Sequence, residues 1–124
     1  MKVFNIIILA VIFWSCAENN SGSHSNIEPD SKITFVELGS VSCIPCQKMQ
    51  PVMKSLEEKY GEEQLQVQFI DVLRDREAAK PYNIRVMPTQ VFLERNGKEF
   101  YRHEGFYPEE EIDSLLQAQG LKPL

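Results

Sequence analysis

The sequence has little that would suit it to nucleic acid, to a metal or to spanning a membrane. Its formal charge is −5 at pH 7 and no basic cluster interrupts that balance, so it lacks the electrostatic footprint of a polyphosphate binder. Only His24 and His103 are available to complete a zinc site around a cysteine pair, a meagre set for a metal that needs four ligands. The apolar run Val3–Trp14, broken by Asn5, is about a dozen residues, short of the ~20 that cross a bilayer as a helix. There is no internal repeat. With 124 residues, 43% of them hydrophobic, the chain has room for one domain.

Cysteine is also scarce, at three residues, and two of them are spaced as Cys43-Ile44-Pro45-Cys46. Upstream, Ile33-Thr34-Phe35-Val36-Glu37-Leu38 reads as a mostly buried strand. Downstream, Cys46, Met49, Val52, Met53, Leu56 and Tyr60 recur at helical spacing. Cys43 is therefore expected just before the first helical turn, where unpaired N–H groups and the positive end of the helix dipole favour a thiolate. Thiols this close can also close a disulfide within one turn. A low-pKa attacking thiol beside a resolving thiol is the minimal apparatus for thiol–disulfide exchange. Two blander readings stand beside it, a static structural disulfide and half of a zinc site, but so small a loop gains little from cross-linking.

The amino-terminal stretch reads as targeting rather than fold. Lys2 followed by a short apolar core over residues 1–15 suits a signal peptide. The run Ile12-Phe13-Trp14-Ser15-Cys16 resembles a bacterial lipoprotein box, although Phe13 and Trp14 depart from its usual Leu–small pattern. The other reading is ordinary cleavage near Ser15–Ala17, leaving Cys16 an unpaired thiol. Residues 16–31 are polar and Gly/Ser-rich, a tether composition. A cysteine between an apolar signal and a tether is placed for a lipid anchor. Lipid on Cys16 would leave Cys43 and Cys46 as an even pair in an exported protein.

Residues 32–124 read as strand, helix, strand, helix, strand, strand, helix. The first strand covers about 33–38 and the first helix about 44–60, with Pro51 expected to kink it and Gly61 to cap it. A second strand follows over about 66–72 and a short helix over 75–80, ended by Pro81. Strands over 89–93 and 99–103 flank Asn96-Gly97, a strong hairpin signal. The last helix starts at Pro108, with Glu109, Glu110 and Glu111 in its first turn and Ile112, Leu115 and Leu116 on its apolar side. Helices alternating with the first three strands imply a right-handed parallel unit with a hairpin added at one edge. His103 reads as an ordinary surface strand residue. Phe100, Tyr101, Phe106 and Tyr107 read as core and edge packing.

In these features the sequence resembles the thioredoxin family over roughly residues 32–119. Cys43-Ile44-Pro45-Cys46 matches the redox motif, and Pro51 matches the proline of the active-site helix. Met87-Pro88-Thr89, preceded by Tyr82-Asn83-Ile84-Arg85-Val86, matches the loop that carries a cis-proline opposite the cysteines, and Gly105 follows the edge hairpin as in the family. The resemblance implies a compact α/β fold, β-α-β-α-β-β-α, with a central four-stranded mixed sheet flanked by helices. The family's amino-terminal strand and helix are missing from this expectation, because residues 17–31 are short and polar. Ser42 stands where the family has tryptophan, Ile44 where it has glycine, Glu37 at its buried aspartate, and Phe69 near the lysine that partners that aspartate. No insertion separates Cys46 from Pro88, which argues against a dedicated haem-assembly role.

The implied function is an exported, membrane-tethered thiol–disulfide oxidoreductase, a monomer of the bacterial periplasm or cell envelope that reduces disulfides in client proteins. The resemblance assigns catalysis to Cys43, Cys46 and Glu37 and client contacts to Ile44, Pro45, Met87 and Pro88; the lipoprotein-box and tether readings assign lipidation to Cys16. It implies no cofactor beyond the Cys43–Cys46 disulfide, no metal, and a membrane thiol–disulfide transporter as electron donor. An oxidase or isomerase of the same fold is one alternative, and a non-enzymatic metal-binding lipoprotein is another.

Overall fold

A computed structural model describes residues 32–124. The expected signal peptide, Cys16 and the tether lie outside the described residues. Strand β1 (Ile33–Gly39) leads into helix α1 (Ile44–Tyr60), strand β2 (Leu65–Asp71), helix α2 (Arg76–Ala79) and a 3-10 turn over Lys80–Tyr82. Strands β3 (Thr89–Glu94) and β4 (Glu99–Glu104) and helix α3 (Glu109–Ala118) complete the domain. The sheet order is β2-β1-β3-β4. The pair β1/β2 is parallel, and β1/β3 and β3/β4 are antiparallel.

The parallel unit is thus β1-α1-β2 alone, and the third strand departs from the sequence expectation. A parallel return needs a crossover long enough to run back along the sheet. Helix α2 has 4 residues, whereas β2 has 7 extended ones, so the chain enters β3 at the end where β2 finished. Accordingly Thr89 pairs with Leu38, near the carboxyl end of β1. Two boundaries also move. Pro81 lies inside the 3-10 turn instead of ending a helix, and Pro108 is the N-cap of α3, not its first helical residue. Helix α1 runs through Pro51 as one span, with Pro51 on its exposed side.

Both faces of the sheet are covered, which is why all seven residues of β1 are buried. Ile33 and Phe35 face the larger core with Met49, Leu56 and Tyr60 of α1 and Ile112 and Leu116 of α3. Val36 and Leu38, one step out of phase, face the other core with Ile70, Ala79, Val91 and Leu93. Polar clamps hold α3 to α1: Ser55 Oγ donates to Glu109 Oε1 at 2.7 Å, Lys59 Nζ reaches Asp113 Oδ2 at 2.8 Å, and the Tyr60 hydroxyl donates to Asp113 Oδ1. Gly61 ends α1 with φ +71°, a left-handed value that a side chain would resist. Among the described residues no helix is long and apolar enough to cross a membrane.

Candidate active site

The turn from β1 into α1 is built by short side chains bonding to nearby backbone. Ser42 N donates to Ser40 Oγ at 3.3 Å, and Cys43 N donates to the Ser40 carbonyl at 3.2 Å. From the end of β2, the Asp71 carboxylate accepts from Val41 N at 3.4 Å, and Gln47 Nε2 bonds the Val41 carbonyl at 2.8 Å. Cys43 consequently occupies the N-cap of α1 with extended dihedrals, φ −93° and ψ 121°. Its Sγ accepts from Cys46 N at 3.4 Å, so a helix-terminal N–H already points at that sulfur. Pro45, within the first turn, has no N–H to leave unpaired.

Cys43 and Cys46 form a disulfide with Cα atoms 5.2 Å apart. Their surroundings differ. Cys43 is partly exposed, whereas Cys46 is 1% exposed and lies over Gly39. A Cβ added to Gly39 would approach Cys46 Sγ to 2.9 Å and Cys46 Cβ to 3.1 Å, so this strand position admits no side chain without displacing the buried sulfur. Ile44, 68% exposed, and Pro45 form the outer surface of the turn. The Met87–Pro88 peptide bond is cis, with Met87 exposed and Pro88 buried. Thr89 Oγ1 closes that loop onto the Val86 carbonyl at 2.8 Å, and Gly105 N bonds the Pro88 carbonyl at 2.7 Å.

Glu37 lies one same-face step from Gly39 on β1, hence on the face that carries Cys46. It is fully buried, and the side chain opposite it on β2 is the apolar Phe69. Burial pushes its carboxyl up to about 8, against the opposing influence of a hydrogen bond from Gln90 Nε2 to Oε2 at 3.0 Å. Its other oxygen, Oε1, is buried with no partner. Sequence reasoning missed Gln90, the fully buried second residue of β3. The one local signal was an amide at the head of the apolar run Val91-Phe92-Leu93; its place opposite Glu37 is set by strand register. His103 is also more than a surface strand residue. Its Nδ1 lies 2.9 Å from Gln90 Oε1 and its ring stacks on Tyr107, with centroids 4.0 Å apart. Among the described residues no group of three or more His, Cys, Asp and Glu side chains is placed to hold a metal ion.

Residues 24–120 match the thioredoxin-like domain family. The chain is 33% identical to the chloroplastic thioredoxin Y of Oryza sativa subsp. japonica over 92 residues, 74% of this chain but only 54% of that protein. It is 36% identical to thioredoxin-1 of Drosophila melanogaster over 74 residues, 59% of this chain and 68% of the fly protein. The X-ray structure of Fasciola hepatica thioredoxin superposes with a TM-score of 0.65 at 27% identity, covering 74% of this chain and 85% of that one.

Proposed function

The chain belongs to the thioredoxin-like domain family, and from that premise we propose that it reduces disulfides in exported client proteins while tethered to a membrane. The observation that carries this reading is the asymmetry of the disulfide: an accessible sulfur at a helix N-cap, bonded to a buried one that packs on the sheet face carrying the buried Glu37. In the dithiol form the Cys43 thiolate is favoured by the N–H groups and dipole of α1. It attacks one sulfur of the client disulfide and expels the other as a thiolate. Cys46 gives its proton to Glu37, and its thiolate attacks Cys43 Sγ. That step releases the second client thiolate and closes Cys43–Cys46, so two electrons pass from enzyme to client. Glu37, held by burial at about 8, suits proton transfer near neutral pH.

Ile44, Pro45, Met87 and Pro88 would line the client's approach. Pro88 contributes no N–H of its own, so main-chain pairing with an extended client segment falls to Met87. A membrane thiol–disulfide transporter would return the electrons. The proposed anchor is lipid on Cys16, with residues 1–15 removed and residues 16–31 as a tether. Mass spectrometry of the native protein is then expected to show a mature chain beginning at Cys16 with added acyl mass, and an unmodified, soluble form would refute the anchor. Catalysis is tested by trapping. Cys46→Ser is expected to accumulate client mixed disulfides through Cys43, and Cys43→Ser none. Clients captured by Cys43→Ser instead would reverse the two roles.

A further inference from the structure

One row across the sheet is polar where its neighbour is aromatic. The neighbouring row pairs Phe35 with Phe92, rings stacked 4.8 Å apart. In the next same-face row Glu37 on β1 pairs with Gln90 on β3, and Gln90 with His103 on β4. Gln90 Nε2 donates to Glu37 Oε2, so the other end of the amide is its carbonyl, which can only accept. His103 Nδ1 therefore carries the hydrogen in the 2.9 Å contact with Gln90 Oε1.

We propose that His103 is a positioning residue for thiol exchange, acting through Gln90: its Nδ1–H locks the amide with the NH2 end toward Glu37, so that Glu37 exchanges its proton at the unpartnered Oε1. The inference rests on the role given to Glu37 above. An amide has two orientations with opposite effects. As found, it donates to Glu37 and favours the carboxylate; reversed, it would accept from the acid's O–H and favour the protonated form. The lock needs only a hydrogen on Nδ1, facing the Gln90 carbonyl. Stacking on Tyr107 fixes the ring plane. The titratable groups facing this row are Cys46 from α1 and Tyr107 from the β4–α3 connection, on which Tyr101 and Glu111 act in turn; β2 contributes the apolar Phe69.

The test uses the full chain, with the Glu37 carboxyl followed by carbon-13 NMR across pH and mixed-disulfide resolution followed by stopped flow. His103→Phe keeps the stacking and deletes the donor. It is expected to raise the Glu37 midpoint by about one pH unit and to carry the pH profile of resolution with it. His103→Leu, smaller at this half-buried place, is expected to do the same if the Phe ring does not fit. His103→Asn puts an amide N–H where Nδ1 stood and is expected to restore both values. A midpoint unmoved by the donor-deleting variants, or moved equally by His103→Asn, overturns the inference. Glu37→Gln separates the two levels. If it leaves the profile of resolution unchanged, the role of Glu37 fails and the positioning of His103 with it. If it flattens the profile while His103→Phe leaves it unmoved, only the positioning fails.

Discussion

Glu37 is the residue on which stability and reactivity pull in opposite directions. Its carboxyl is raised to about 8 in the fold from an ordinary 4.5, first because burial penalises the charge, with the Gln90 bond only partly offsetting it. Ionisation therefore costs the native state more than the unfolded chain. The cost is absent below the unfolded value, grows as pH rises from about 4.5, and levels off above about 8. Glu37→Gln keeps the shape and removes the charge. Its stability relative to wild type is expected to be near zero at pH 4 and to climb to a gain of about 5 kcal/mol by pH 9. Urea unfolding at several pH values measures this. A pH-independent difference would mean that the carboxylate is solvated and not the proton acceptor. The acid's importance was legible in the sequence, because a charged residue flanked by Phe35-Val36 and Leu38 stands out in a strand. Its partners were not, because Gln90 and His103 meet it through strand register, which no local periodicity encodes.

At the scale of elements, the parts set by local chemistry were legible and the parts set by long-range geometry were not. Helix α1 was readable over 44–60 because its apolar spacing, the proline in its first turn and the glycine at its end all agree. The hairpin followed from Asn96-Gly97, and Asn96 Oδ1 does bond Lys98 N, at 2.9 Å. The direction of β3 was not readable, because strand direction depends on where a connection ends in space. Gly39 illustrates the same limit. In sequence it is the residue after a strand; in the fold it is the floor beneath Cys46, where a Cβ would stand 2.9 Å from the sulfur. The buried thiol thus depends on a close approach of α1 to β1 that only the assembled elements show.

For the whole molecule, the proposed exchange chemistry belongs to the thioredoxin-like domain, and the surroundings proposed for it supply the direction of electron flow. The fold alone serves reductants and oxidants, so direction lies in the relative stability of the dithiol and disulfide forms. The measurement that tests the central claim most directly is equilibration of Cys43–Cys46 against graded reduced and oxidised glutathione, quenched by alkylation and read as a mass shift. Mass is the suitable readout, since the single tryptophan, Trp14, lies in the expected signal peptide. A disulfide reductase is expected to remain substantially oxidised in buffers poised near −220 mV and to become reduced only at lower potentials, in the range of about −270 mV. A pair already fully reduced at about −180 to −120 mV would make the protein an isomerase or oxidase, and a pair that never equilibrates would make the bridge structural; either result contradicts the account.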